Sequence, residues 1–263
     1  MFVLIWATLL FTVKDSNADT GASIWRRECT NDFCISLSEG EITSEAGLCV
    51  VIPCSFTTSV LFTPQHIVWY KCESSKPRCG DSDIIFLKNK EKVQSGFKGR
   101  VSLLEPDVTN RNCSIIINDV IESDSGSYQL RVNGHWFMKG DGFTFSQRTI
   151  VSVKDLIQKP TVMIPPLTEG QQTTLTCTAP GLCSGSEPNI TWTWRGAGEK
   201  ASHITGNITA LKTENLTAAT QRHSSTLMFN LSAEHHGSEV TCKVIFTNNI
   251  TTEETVTLNV TYC

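Results

Sequence analysis

The stretch Asp124-Ser125-Gly126-Ser127-Tyr128-Gln129-Leu130-Arg131 decides which fold this sequence of 263 residues predicts. An Asp-x-Gly-x-Tyr run is typical of a tyrosine corner, which lies near the start of a strand in a β-sandwich. Upstream, Trp69 lies 15 residues after Cys54, the spacing of a core tryptophan that packs on a cysteine of an earlier strand. The motif predicts a second cysteine at position 130, where this chain has Leu130. The usual bridge between the two sheets is therefore excluded, and Cys54 needs another partner.

The same arrangement recurs in outline further along the chain, as Cys177, Trp192 and Cys242. Short runs rich in Val, Ile, Thr and Phe, separated by turn residues, fill the sequence, and no long 3.6-residue period is present. We therefore predict an all-β chain of two immunoglobulin-like β-sandwich domains. The first is a variable-type domain over residues 19–155, and a constant-type domain over residues 156–263 follows it.

The composition limits where the protein can be located in the cell and which classes of molecule it can bind. A net charge of −4 does not favour binding to nucleic acid, and eleven cysteines without a tight Cys-x-x-Cys pair favour disulfides in an oxidising compartment. The apolar run at residues 2–13 is too short to span a membrane, and small residues follow it, so we interpret residues 1–18 as a signal peptide. The expected location is extracellular, either as a secreted protein or as the ectodomain of a type I plasma-membrane protein.

Asn-x-Ser/Thr sequons support that location, because N-linked glycans belong on secreted surfaces. The predicted glycosylation sites are Asn112, Asn189, Asn207, Asn215, Asn230, Asn249 and Asn259.

Strand alternation suggests partners for the cysteines, because side chains of one parity face one side of a sheet. Cys54 shares parity with Ile52 on the core face, whereas Cys49 points outward, and Cys113 shares the inward parity of Ile115. Cys54 with Cys113 is thus a bridge within one sheet, and Cys49 requires a partner outside the first core. The predicted pairs are Cys54–Cys113, Cys49–Cys183, Cys177–Cys242, Cys72–Cys79 and Cys29–Cys34, which leave Cys263 over.

Alternation also identifies a candidate binding residue. Tyr128 and Leu130 face inward, so Gln129 and Arg131 face outward on the sheet. A guanidinium on a rigid strand presents a planar fork that matches a carboxylate. The alternative is a solvated surface arginine that pairs with a Glu or Asp of its own chain.

The next turn is rich in aromatic residues and glycine, in residues 134–137 and 140–143. Exposed rings there can stack on the apolar atoms of a ligand, or they can instead pack on their own sandwich. No metal site is predicted, because His235-His236 has no evident third ligand. Without a Gly-x-Ser-x-Gly elbow, we expect neither an enzyme nor a bound cofactor.

These features resemble the sialic-acid-binding immunoglobulin-like lectins, the siglecs. The resemblance rests on residues 49–56, Trp69-Tyr70, Gly99-Arg100, Asn112-Cys113-Ser114 and residues 124–131, and it extends through the second unit at Pro165-Pro166, residues 175–177, Cys183, residues 190–192 and Thr241-Cys242. That family joins a variable-type domain, which has a bridge within one sheet, to a constant-type domain by an interdomain disulfide. The pairs predicted above look like this arrangement.

The resemblance implies that Arg131 matches the family arginine that forms a bidentate salt bridge with the carboxylate of sialic acid. An aromatic on strand G and another on strand A would contact the sugar, together with strand-G backbone groups near residues 142–145. The candidates are Trp136, Phe137 or Phe143 for the strand-G aromatic, and Phe33 or Trp25 for strand A. Phe145, at the end of the stretch of backbone groups, is a further predicted binding residue.

The implied function is binding of terminal sialic acid on glycoproteins or gangliosides, in cell adhesion and in recognition by immune or glial cells. Single sites should be weak, so clustering in cis on a membrane would supply avidity. The loop over residues 72–86 would shape the preference for linkage. The alternative is an adhesion or immune receptor that binds a protein partner through the same sheet, with Arg131 at the rim.

Overall fold

The computed structural model describes residues 25–88, 90–137, 139–196, 202–203, 208, 211–217 and 219–262. The predicted signal peptide, the sequon at Asn207 and Cys263, which the predicted pairs leave over, lie outside these ranges. The all-β prediction is confirmed, because the regular elements of the described residues are strands and short 3₁₀ turns. Within the same ranges, no helix has the length and apolar character needed to cross a membrane.

The described residues of the first domain contain eleven strands. They are β1 (Trp25–Thr30), β2 (Phe33–Ser38), β3 (Glu41–Glu45), β4 (Val50–Ile52), β5 (Cys54–Thr57), β6 (Phe62–Cys72), β7 (Ile84–Phe86), β8 (Val101–Leu103), β9 (Ile115–Ile117), β10 (Gly126–Trp136) and β11 (Lys139–Lys154). Short 3₁₀ turns lie at Asp81–Asp83, Lys90–Lys92, Ser95–Phe97, Val108–Asn110 and Glu122–Asp124.

These strands form two layers. One layer is a five-stranded sheet in the order β3-β11-β10-β6-β7, and the other consists of the three-stranded groups β1-β2-β5 and β4-β9-β8. Pro53 separates β4 from β5, because a proline has no N–H to donate to a ladder. The core between the layers holds Trp69, Tyr128 and Leu130, all without exposed surface. Strand β10 therefore lies in the middle of the five-stranded sheet, with hydrogen-bonded neighbours on both sides.

The tyrosine corner ties the start of β10 to the preceding turn. The phenol of Tyr128 donates to the main-chain oxygen of Asp124, and burial raises the pKa of that phenol, which keeps it protonated. The Asp124 carboxylate accepts two hydrogen bonds from Arg100, at 2.7 and 2.9 Å. This buried ion pair fixes the position at which β10 enters the sheet.

Eight strands lie in the described part of the second domain. They are β12 (Thr161–Met163), β13 (Gln172–Thr178), β14 (Asn189–Arg195), β15 (Ser202–His203), β16 (Lys212–Asn215), β17 (Gln221–Asn230), β18 (Glu239–Ile245) and β19 (Thr251–Thr257). Turns of 3₁₀ type lie at Ala233–His235 and Thr247–Asn249. The sheets have the orders β12-β13-β17-β16 and β15-β14-β18-β19, and Trp192 and Leu175 lie in the core between them.

Five disulfides join ten cysteines of the described chain. The pairs are Cys29–Cys34, Cys49–Cys183, Cys54–Cys113, Cys72–Cys79 and Cys177–Cys242. The main-chain N–H of Cys113 donates to the oxygen of Cys54 at 3.0 Å, so that bridge joins neighbouring strands of one layer. Cys49–Cys183 joins the two domains.

Hydrogen bonds reinforce the junction between the domains. The carboxylate of Asp119 accepts from the N–H of Ser186 at 3.1 Å and from its hydroxyl at 2.8 Å. The carboxylate of Glu45 accepts from the N–H groups of Ile157 and Gln158, at 2.8 and 2.9 Å. The relative position of the domains thus depends on more than the covalent link.

The described sequons differ in exposure. Asn112 is half-buried in the first domain, and the five of the second domain are exposed, namely Asn189, Asn215, Asn230, Asn249 and Asn259.

Candidate functional site

Arg131 lies at the centre of the five-stranded sheet. On β10 it is paired with Val68 of β6 on one side and with Thr144 of β11 on the other. Its neighbours in sequence, Leu130 and Val132, are fully buried in the core, so the side chain of Arg131 lies on the outer face. Two paired strands hold the main chain, and this rigidity favours a single position of the side chain.

Two side chains orient the guanidinium. Nε of Arg131 donates to Oδ1 of Asn133 at 2.7 Å, and Nη1 donates to Oγ1 of Thr144 at 2.9 Å. The group also lies directly against Gly142, since a Cβ atom built there would be only 2.5 Å from Nη2. A guanidinium has five N–H donors. The second hydrogen of Nη1 and both hydrogens of Nη2 have no acceptor among the residues that the structure describes, so the Nη1–Nη2 edge remains available to a ligand.

Among the described residues, no carboxylate neutralises this cation. The ion pairs of the described chain do not include Arg131, and none of its described Asp or Glu side chains lies within 4.0 Å of the guanidinium. The alternative of a surface arginine that is paired with its own Glu or Asp is therefore not what the structure contains.

The other polar groups on this wall are uncharged at neutral pH. Nδ2 of Asn133 and Nε2 of His66 are 3.2 Å apart. Burial lowers the pKa of His66, and the charge of Lys88 lowers it further. Burial raises the pKa of Tyr70, and this effect exceeds the opposite effect of the nearby positive charge of Arg131. Arg131 is thus the charged group on the wall that these side chains form.

The outer face forms one wall of a cleft of about 850 Å³ rather than an open surface. The segment that follows β6 contributes Pro77, Arg78 and Asp81 to the lining of the same cleft. The disulfide Cys72–Cys79 closes this segment, and the guanidinium of Arg148 donates to two of its carbonyl groups. A ligand anchored on the face would therefore also contact this segment.

Gln129, on the same outer face, is also shielded from solvent. Its side chain lies on the outer face, as alternation predicts, but it is only 3% exposed, and Nε2 donates to the main-chain oxygen of Phe145 at 2.8 Å. The predicted outward side is therefore correct, but alternation does not show what else covers that side.

The aromatic candidates lie away from the guanidinium. Phe143 is paired with Val132, whose side chain is in the core, so the Phe143 ring points to the face opposite Arg131. Phe33 stacks on that ring with centroids 4.3 Å apart, and Trp136 lies 6.2 Å from Phe33. These three rings are half-buried and pack together at one end of the sandwich. The structure thus brings them to each other and not to the guanidinium.

Three other aromatic candidates are placed differently. The ring of Phe145 is 2% exposed within the core, so a contact of this residue with a sugar would have to use its main chain, and its main-chain oxygen already accepts from Gln129. Phe137 is 71% exposed at the turn between β10 and β11. Trp25 is 51% exposed, but it lines a groove on the other layer and is not available to a ligand that Arg131 binds.

The sequence predictions did not assign a role to the side chains of Asn133, Thr144 and His66. A signal for Asn133 was present, because residues two apart on a strand share a face, and this asparagine follows Arg131 by two. Thr144 and His66 lie on other strands, and their position beside Arg131 depends on the register of the sheet.

Comparison with known proteins supplies independent evidence. Residues 37–154 match the immunoglobulin V-set domain, and residues 155–248 match the CD80-like C2-set immunoglobulin domain. The chain is 32% identical over 229 residues to Sialic acid-binding Ig-like lectin 5 of Homo sapiens, which covers 84% of this chain and 37% of that protein. It is 29% identical to Myeloid cell surface antigen CD33 of Mus musculus and to Sialic acid-binding Ig-like lectin 6 of Homo sapiens. Each alignment covers 84% of this chain and, respectively, 51% and 44% of the relative. The chain thus spans about a third to a half of the length of these relatives.

Proposed function

Because the chain belongs to the sialic-acid-binding immunoglobulin-like lectins, with a V-set domain followed by a C2-set domain, we propose that its first domain binds terminal sialic acid through Arg131. The observation that carries the proposal is a half-buried guanidinium on the central strand of the sheet, oriented by Asn133 and Thr144, with no carboxylate partner among the described residues. Sialic acid has a carboxylate at its anomeric carbon, and this group supplies the missing partner.

The free Nη1–Nη2 edge has the geometry for two parallel hydrogen bonds with one carboxylate. Such a charge-assisted pair is shorter and stronger than neutral hydrogen bonds and contributes ~1.5–3 kcal/mol. Asn133 and Thr144 hold the group in place before the ligand arrives, so little conformational entropy is lost on binding.

The partners that follow are sialylated glycans on glycoproteins or gangliosides, bound at the cell surface or outside the cell. One salt bridge and a few further contacts leave little free energy beyond the cost of association, so a single site binds weakly. Clustering in cis on a membrane would raise the avidity. The protein acts as a recognition molecule in cell adhesion and in contacts of immune or glial cells, and it carries out no chemical reaction.

The proposal is tested by Arg131→Lys, which keeps the charge but removes the planar fork. Loss of one charge-assisted hydrogen bond of ~1.5 kcal/mol predicts that binding to immobilised sialylated glycans falls about tenfold or more. Arg222→Lys, an exposed arginine of the second domain, is the matched control and should bind like the wild type.

Neuraminidase separates the proposal from the alternative of a protein partner on the same sheet. Binding to cells should be lost after enzymatic removal of sialic acid. Undiminished binding to treated cells, or equal binding by the wild type and Arg131→Lys, would reject sialic acid as the ligand of this site.

A further inference from the structure

Asn112 lies on the layer opposite the Arg131 cleft, in the sequon Asn112-Cys113-Ser114. Its main chain forms a bridge with Ser55 of β5. Its side-chain Oδ1 accepts a hydrogen bond from the N–H of Ser114 at 2.9 Å, which fixes the orientation of the amide. Nδ2, the atom that carries the first sugar of an N-linked glycan, has no hydrogen-bond partner among the described residues. The side chain is thus held with its attachment atom free.

A groove of about 680 Å³ begins at this asparagine. Its walls and floor include Trp25, Ser36, Ser55, Thr57, Arg111 and Asn112 itself. The inward residues of β2 and β5 belong to the core, so these side chains lie on the outer face. The groove and the Arg131 cleft therefore occupy opposite faces of the domain.

The strand register shows how the groove crosses the sheet. Arg27 of β1 is paired with Ser36 of β2, Ser36 with Ser55 of β5, and Ser55 with Asn112. Three strand spacings separate the ends of this row, about 14 Å at ~4.8 Å per spacing. Trp25 precedes Arg27 by two residues and so shares its face. A ligand attached at Asn112 would meet two serines first and the tryptophan last.

The chemistry along this row suits a carbohydrate. Small serine side chains keep the floor of the groove low, and their hydroxyls both donate and accept hydrogen bonds, as sugar hydroxyls do. Trp25 is 51% exposed at the far end and presents a large apolar ring, on which the C–H face of a sugar can stack. In the described part of the chain, no side chain stacks on the ring of Trp25 on this edge strand.

We propose that this groove binds the two proximal N-acetylglucosamine residues of an N-linked glycan on Asn112, with Trp25 as the stacking platform. The glycan then covers the face of β1, β2 and β5 and shields Trp25 from water. This proposal depends on glycosylation of Asn112 and is independent of sialic acid binding by Arg131.

The test uses an endoglycosidase that cleaves between these two sugars, on protein secreted from cells that make only oligomannose glycans. Cleavage under native conditions is followed by site-resolved mass spectrometry at Asn112 and at Asn249, an exposed sequon in the turn before β19. Packing in the groove should make cleavage at Asn112 about fivefold slower than at Asn249, because the glycan must leave the groove first. Protein denatured before digestion should be cleaved equally at both sites.

Two variants identify the cause of the protection. Trp25→Ala should raise the rate at Asn112 to that at Asn249, whereas Phe137→Ala, an exposed aromatic at the turn after β10, should leave the difference intact. The proposal fails if Asn112 carries no glycan, if native cleavage is equally fast at both sites, or if Trp25→Ala leaves the protection unchanged.

Discussion

Gly142→Ala offers a sharp test of the Arg131 site, because it moves the guanidinium without changing any charge. Gly142 lies on β11 opposite Asn133 of β10. A Cβ atom added there would be 2.2 Å from Oδ1 of Asn133, 2.5 Å from Nη2 of Arg131 and 2.8 Å from its Cζ. The main chain at Gly142 is not in the left-handed region, so an alanine meets these two side chains and no backbone strain.

The size of the effect follows from these distances. Ordinary van der Waals contact begins near 3.4 Å, so Nη2 must retreat by about 1 Å. The hydrogen bonds from Arg131 to Asn133 and Thr144 then lengthen or break, and the Nη1–Nη2 edge turns away from its binding orientation. A displacement of about 1 Å at a positioned group can cost up to ~100-fold, and we expect binding of sialylated glycans to weaken about 10- to 100-fold.

The assay is surface plasmon resonance on immobilised sialylated glycans, together with thermal unfolding to verify the fold. Gly140→Ala is the matched control, because it lies in the same hairpin and an added Cβ meets no atom within 4 Å. It should bind like the wild type. If Gly142→Ala folds normally and binds with unchanged affinity, the position of the guanidinium does not determine binding, and the reasoning is refuted.

Two further predictions concern stability. Asp124→Ala removes the carboxylate partner of Arg100, whose side chain is 17% exposed and keeps only main-chain acceptors, and should lower the free energy of unfolding by about 3 kcal/mol in urea titration. Asp81→Ala, which breaks an exposed pair with Lys92, should cost at most about 1 kcal/mol, and equal losses would contradict the assignment. Because burial lowers the pKa of His66, the folded state binds this proton less readily than the unfolded state, whose pKa is near 6.5. The free energy of unfolding should therefore fall as pH drops below about 6.5, and it should fall less steeply in His66→Gln than in the wild type. If the two curves of unfolding free energy against pH run parallel, His66 makes no contribution.

Much of the first domain was predictable because it depends on local periodicity. Successive side chains of a strand face opposite sides, so the motif ending at Arg131 places Tyr128 and Leu130 in the core and the arginine on the outer face. The same alternation puts Cys54 and Cys113 on one inner face, where the structure joins them.

The immediate surroundings of Arg131 required the folded chain. Thr144 reaches the guanidinium only through the register of β10 with β11, and that register shifts between Gln129 and Arg131. The same register turns the rings of Phe143 and Phe145 away from the cleft, although the sequence places both close to Arg131. Composition alone could not distinguish rings that face a ligand from rings that face the core.

The sequence by itself determined the all-β class and the inward and outward sides of the strand that carries Arg131, because these follow from the periodicity of residues close along the chain. Only the tertiary structure decided that Gln129 is buried beside Phe145, that Thr144 holds Arg131, and that Trp25 shares a groove with Asn112. These contacts join residues that are far apart along the chain. Their positions are set by strand order and register, which no local pattern specifies.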